Sequence, residues 1–152
     1  MTPPEPRPEP RGAEAHFRAL ESLYAAAPIN RLFESTLEIS EGGIARIRFD
    51  IDSRYFHAAG AAHGTIYFKM LDDAAFYAAN SLISDRFLLT TAFNLLFTRP
   101  IGPGRIRAEG RWISGKRRVF VLAGGESQPP TGGLLSINPV DGNIDFAFPW
   151  RS

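Results

Sequence analysis

The residues best suited to chemistry lie in one run, His63-Gly64-Thr65-Ile66-Tyr67-Phe68-Lys69-Met70-Leu71-Asp72-Asp73-Ala74-Ala75-Phe76-Tyr77-Ala78-Ala79-Asn80. The spacing predicts a helix that is apolar on nearly every side and carries two adjacent carboxylates at its middle. Carboxylates are rarely buried unless they are paired or working. The first N–H groups of a helix lack intrahelical partners and carry the positive end of its dipole. A His-Gly entry therefore offers donors to a carbonyl oxygen that gains negative charge, and no Cβ at Gly64 obstructs the approach. Nine residues after His63 stands Asp72, a proton acceptor or nucleophile.

Each of these residues also has a plainer use. Gly64 serves equally as an ordinary helix start. Asp72 and Asp73 project about 100° apart, so they cannot share one direction. Lys69 precedes Asp73 by four residues and is expected to pair with it at a polar edge, which leaves Asp72 without a local partner. His57 precedes His63 by six residues in the loop Tyr55-Phe56-His57-Ala58-Ala59-Gly60-Ala61-Ala62. Two histidines at that spacing invite a metal, but only the Asp pair stands near as a third ligand, so a neutral hydrogen-bonding His is the favoured use and no metal is expected. His16, on a separate amphipathic run, is expected in solvent. Thr90, Thr91 and Asn94 interrupt an apolar strand and by themselves suggest a solvent face. Lys116-Arg117-Arg118 is a basic turn, either solvated or phosphate-binding.

Composition narrows the classes. The chain has 152 residues, 44% of them hydrophobic and 22% charged, enough for one domain with a substantial core. With 17 Lys+Arg against 16 Asp+Glu there is no basic excess to attract nucleic acid or an acidic membrane. The chain has no cysteine, which excludes disulfides, thiolate metal sites and a Cys nucleophile, and fits a cytoplasmic setting. No apolar run reaches the roughly 18 residues of a membrane span, and no signal peptide is visible. There is no P-loop, no GxGxxG and no GxSxG, so NTP hydrolysis, nicotinamide redox and serine hydrolysis lack support.

The elements that must position these residues follow from periodicity. Five prolines make residues 1–11 an extended, disordered tail. Phe17, Leu20, Leu23 and Tyr24 recur at helical spacing over residues 13–27 and stop at Pro28. Residues 32–39 and 44–51 alternate around Glu41-Gly42-Gly43, a hairpin. The central helix is expected over 64–82, followed by strands at 87–97, 105–113 and 118–123. One antiparallel sheet wrapped around one long helix is an α+β arrangement.

Together these residues resemble the hotdog-fold acyl-CoA thioesterases of the phenylacetate-degradation type. In that family a loop with Asn, Gly and His-Gly-Gly leads into the central helix, and an acidic residue follows nine positions after the His. Here the loop is His57-Ala58-Ala59-Gly60-Ala61-Ala62-His63-Gly64-Thr65, and nine after His63 is Asp72. The strand Thr90-Thr91-Ala92-Phe93-Asn94-Leu95-Leu96-Phe97-Thr98-Arg99-Pro100 and the turn Ser114-Gly115-Lys116-Arg117 match the segments that follow. Three departures stand out. The family's Asn is His57, its second Gly is Thr65, and beyond about residue 124 the chain is atypical, running through Gly124-Gly125-Glu126-Ser127-Gln128-Pro129-Pro130-Thr131-Gly132-Gly133 into Leu134-Leu135. Residues 145–148 are left as an edge strand without an assigned place.

The resemblance implies a hotdog domain over 12–152 that hydrolyses an acyl-CoA thioester to a carboxylic acid and CoA. It implies Asp72 as general base or nucleophile and the Gly64 N–H as the group polarising the carbonyl. His57 and His63 would shape the site, and Thr90 would hold the water or Asp72. Gly60, Thr65 and Asn94 would contact substrate, with Lys116 and Arg117 on the CoA phosphates. It implies no cofactor beyond CoA as part of the substrate, and no nucleic-acid or membrane partner. The site would lie between subunits of a homodimer or homotetramer, Asp from one chain and Gly from the other. A hotdog hydratase or dehydratase, and a non-catalytic acyl-CoA-binding homologue, are the alternatives.

Overall fold

Helix α1 (Ala13–Ala26) turns its Phe17, Leu20 and Tyr24 into the core, while Leu23, expected on the same face, is 55% exposed. A computed structural model describes residues 12–84, 87–90, 95, 97 and 100–112 with their side chains, and residues 118–125, 131–137 and 144–147 as backbone strands. The tail 1–11 lies outside the described residues. After a short 3-10 turn at Pro28–Arg31 come β1 (Ser35–Ser40) and β2 (Ile44–Ile51), the expected hairpin, with Ile39 opposite Ala45 and Leu37 opposite Ile47. The central helix α2 (Gly64–Asn80) follows, then β3 (Gly104–Trp112), β4 (Arg118–Gly125), β5 (Thr131–Ile137) and β6 (Ile144–Ala147). The six strands among the described residues pair antiparallel in chain order, β1 to β6.

The sheet is therefore one meander with α2 lying across β2, β3 and β4, the α+β hotdog arrangement. Alternation on β2 and β3 turns Ala45, Ile47, Phe49, Ile106 and Ala108 toward the helix and leaves charged residues on the other face. On that face Glu109 is buried beneath Arg46 and Arg111. Burial pushes its carboxyl up, but the two guanidiniums outweigh it and hold it below the usual carboxylate range. Helix and sheet meet most closely where Gly110 faces Ala74. A Cβ on Gly110 would lie 2.2 Å from the Ala74 carbonyl oxygen. Ala74, Ala75 and Ala78 are fully enclosed, so small side chains on both partners let the two backbones touch.

Five expectations need correction. The helix ends at Asn80, two residues before the expected 82, because the Asn80 and Ser81 side chains turn back onto the carbonyls of Phe76 and Ala78. It is not enclosed on every side: Phe68 is 44% exposed, and Lys69, Asp72, Asp73 and Phe76 are half-buried. The strand expected over 87–97 is absent among the described residues 87–90, 95 and 97, since the Leu88 N–H and carbonyl are taken by the Asn80 side chain and not by a neighbouring strand. His16 is not merely solvated, because its Nε2–H donates to the Asn80 carbonyl at 2.8 Å, at the electronegative end of α2. The chain beyond residue 124 does join the sheet, with β5 and β6 extending it at one edge. The Gly-Gly step before Leu134 had concealed β5.

Candidate active site

The loop into α2 is a small hairpin of its own. Phe56 bridges Ala62, the Gly60 N–H donates to the His57 carbonyl at 2.9 Å, and the His57 N–H donates to the Ala61 carbonyl at 2.9 Å. Gly60 closes this turn at φ +83°, a conformation that side-chain-bearing residues rarely adopt. The Ala62 N–H then donates to the Ile101 carbonyl at 2.9 Å, tying the hairpin to the segment before β3.

Both histidines use Nδ1 locally. His57 Nδ1 accepts the Ala59 N–H at 3.0 Å, and His63 Nδ1 accepts the Thr65 N–H at 3.1 Å as the N-cap of α2. An accepting Nδ1 leaves the hydrogen of the neutral ring on Nε2, so each exposed imidazole presents an Nε2–H donor outward. Thr65 is thus the capped residue, and its hydroxyl also lies 2.9 Å from His63 Nδ1. No hydrogen bond among the described residues joins either imidazole to Asp72.

At Gly64 the open space is partly taken. A Cβ there would lie 3.1 and 3.2 Å from the Phe97 ring, which itself stacks edge-on against Tyr67 with centroids 5.5 Å apart. The glycine has a packing reason as well as any chemical one.

The two carboxylates diverge as the helical angle requires. Asp73 pairs with Lys69, as expected, but not at a polar edge. The Lys69 side chain is only 11% exposed, and its Nζ lies 5.3 Å from the Tyr24 ring centroid and 5.4 Å from that of Phe33. Burial pushes the Asp73 carboxyl up, against the opposing pull of Lys69. Among the described residues Asp72 has no cation of its own, and it accepts the Thr90 hydroxyl at 2.8 Å. Its carboxyl is also raised, first by burial and further by the charge of Asp73, with the Thr90 bond and Lys69 opposing. Thr90 is therefore no solvent-facing interruption. Phe68 and Leu89, 44% and 69% exposed, adjoin the Asp72–Thr90 pair in sequence and leave apolar surface beside it.

The structure thus joins Asp72 to Thr90 and Lys69 to Asp73. It places Gly60, His57, His63, Gly64 and Thr65 on one continuous hairpin-to-helix entry. Asn94, Lys116 and Arg117 lie outside the described residues. Among the described residues no three His, Asp or Glu side chains converge on a common point, and no helix is long and apolar enough to cross a membrane. Missed from the sequence was Asn80, fully buried and bonded to Leu88. Its amide at the end of an apolar run was the available signal.

The family model of the thioesterase superfamily matches residues 59–124, from the loop at Gly60 through α2 to β4. Among solved structures the chain is similar to the Escherichia coli PaaI protein of the phenylacetic acid degradation operon, with 19% identity and a TM-score of 0.67 over 82% of this chain and 88% of that one. This chain has the hotdog fold. A second hotdog likeness is a thioesterase family protein from Silicibacter pomeroyi, at 20% identity and a TM-score of 0.62 over 89% and 90% of the two chains. A third is a phenylacetic acid degradation-related protein from Ralstonia eutropha, at 18% identity and 0.63 over 80% and 96%. The resemblance to the phenylacetate-degradation type holds at the level of fold. No curated protein matches the chain.

Proposed function

We propose that this hotdog protein hydrolyses an acyl-CoA thioester to a free carboxylic acid and CoA. The observation that carries the reading is the Asp72–Thr90 pair: a half-buried carboxylate that, among the described residues, is held by a hydroxyl and not by a cation of its own. A buried carboxylate with a raised pKa is a better proton acceptor than an exposed one.

Gly64 and Asp72 are eight residues apart on one helix, about 12 Å along its axis. One thioester carbonyl cannot meet both within a single chain. The active unit is therefore a homodimer in which Gly64 of one copy polarises the carbonyl and Asp72 of the other acts on it. Phe68, 44% exposed and one turn before Asp72 on α2, suits contact with such a partner. In the base mechanism Asp72 takes a proton from water, the water oxygen bonds the carbonyl carbon, and the C–S bond breaks. The electron pair leaves on sulfur, which recovers the proton as CoA thiol. In the nucleophile mechanism an Asp72 oxygen bonds the carbon first and the C–S bond breaks with its electron pair on sulfur; water then opens the resulting anhydride, freeing the acid and the Asp72 carboxylate, and the proton it gives up makes the CoA thiol. The Gly64 N–H binds the oxyanion in either case. His57 and His63 present Nε2–H donors at the entry, where Gly60 and Thr65 contact the substrate, and Asn94 is a further substrate contact. Lys116 and Arg117 meet the CoA phosphates.

The test is a thiol-release assay on short, long and aromatic acyl-CoAs. Stoichiometric free thiol and carboxylic acid with at least one of them is the expected result. Hydration of an enoyl-CoA without thiol release, or acyl-CoA binding without turnover, would overturn the reading.

A further inference from the structure

Asn80 is 1% exposed, yet it is an amide in a position where the helix could bury a leucine. Its partners explain it. The carboxamide nitrogen donates to the Phe76 carbonyl at 3.0 Å and to the Leu88 carbonyl at 3.3 Å, while its oxygen accepts the Leu88 N–H at 2.8 Å. One side chain thus holds both backbone polar groups of Leu88, as a neighbouring strand would.

Asp72, Phe76 and Asn80 are spaced by four along α2 and occupy one face. The segment after the helix fastens to that face at three points: the Leu88 backbone on Asn80, the Phe87 ring edge-on to Phe76 with centroids 5.2 Å apart, and the Thr90 hydroxyl on Asp72. Two of the three attachments are broad or adjustable. Only the Asn80–Leu88 pairing sets the height of the segment along the helix, because it fixes two backbone atoms at once.

We propose that Asn80 is a positioning residue of the hydrolytic site, clasping Leu88 so that the Thr90 hydroxyl reaches Asp72. The proposal rests on the thioesterase reading for its kinetic arm only. The clasp acts through Thr90, so losing it removes the same hydrogen bond from Asp72 as losing the Thr90 hydroxyl. The charged groups bearing on Asp72, namely Lys69 and Asp73 on its own helix, are untouched by either loss.

The experiment compares Asn80→Ser, Thr90→Val and the double variant in the full-length chain. A serine hydroxyl can still bond the Phe76 carbonyl one turn back, so the buried position stays satisfied, but it is too short to span to Leu88. The Asp72 carboxyl is titrated by carbon-13 NMR, which needs no turnover, and kcat and KM are measured on the best acyl-CoA. Expected are equal upward displacements of the Asp72 titration in both single variants, and a fall in kcat of about tenfold in each with KM unchanged. The double variant should lose no more than either single one, since both act through one bond. An unmoved Asp72 titration in Asn80→Ser, or losses that multiply in the double variant, would overturn the proposal. Should Asn80→Ser fail to fold, Leu88→Pro removes the donated N–H from the other side. It must then displace the Asp72 titration as Thr90→Val does, and failure to do so overturns the clasp. An inactive wild type whose NMR titrations follow this pattern would defeat the thioesterase reading and leave the clasp standing.

Discussion

Asp72 and Asp73 are consecutive on α2, yet one carboxylate accepts the Thr90 hydroxyl at 2.8 Å and the other pairs with the largely buried Lys69. Burial raises both carboxyls, so their difference lies in the partner: a neutral hydroxyl leaves Asp72 a usable base, whereas an ammonium occupies Asp73. Asp72→Asn should lower kcat by roughly 10² to 10⁴, the usual contribution of a positioned proton acceptor. Asp73→Asn should leave the folded enzyme active within a few-fold. It strands the Lys69 ammonium among aromatic rings, however, and should cost about 1–3 kcal/mol in chemical denaturation. Equal kinetic losses would mean that the two carboxylates share the work.

Acid titration should expose the same asymmetry. The Asp72 carboxyl is raised in the fold, so the acidic limb of kcat/KM should fall above the ordinary Asp value of about 3.9. A raised carboxyl binds its proton more tightly when folded. Its contribution to stability is thus fully present below the unfolded value and lost as pH climbs through the folded one. Asp72→Asn should accordingly melt higher than the wild type near neutrality, with the gain vanishing below about pH 4. Tm against pH for the two proteins reads this directly, and a gain that grows toward acid would reverse the sign.

Two glycines should answer differently to a single methyl group. Gly110→Ala drives its Cβ to 2.2 Å from the Ala74 carbonyl oxygen and 2.6 Å from the carbon, backbone atoms that cannot swing aside. A loss of about 3 kcal/mol or more, or failure to fold, is expected. At Gly64 the obstacle is the Phe97 ring, 60% exposed and able to move. Gly64→Ala should stay within about 1 kcal/mol of wild-type stability while turnover falls, because the methyl group screens the N–H. Thermal melts beside kcat separate the two cases.

A shared site predicts complementation. Asp72→Asn and Gly64→Ala, each impaired alone, should recover about a quarter of wild-type activity when equal amounts are unfolded and refolded together, since half the dimers are mixed and each then holds one intact site. Recovery no greater than the average of the two parents would place both groups in one chain.

The basic turn is testable through substrate length. Replacing Lys116 and Arg117 by Ala should raise KM far more than it lowers kcat, since phosphate contacts hold ground and transition states alike. With a substrate truncated before the nucleotide the effect should disappear. Equal losses on both substrates would assign the turn another role.

Much of this protein was legible along the chain because it rests on local rules. Helical spacing foretold α2, alternation foretold the β1–β2 hairpin and β3, and the four-residue step foretold the Lys69–Asp73 pair. The nine-residue interval from His63 to Asp72 carried the family resemblance. What periodicity cannot carry is which groups meet from distant positions. Thr90 and Asn94 look alike as polar breaks in an apolar run, and only the return of the chain along α2 joins Thr90 to Asp72. Asn80 looks like a helix end until its amide is seen holding Leu88, which also explains why an apolar, strand-like segment makes no ladder among its described residues. Gly132 and Gly133 argue locally against a strand, yet pairing with β4 gives β5 the hydrogen bonds that its own residues could not supply. The depth of the Lys69–Asp73 pair was likewise set by Tyr24 of α1 and by Phe33, because burial is a property of packed elements and not of spacing.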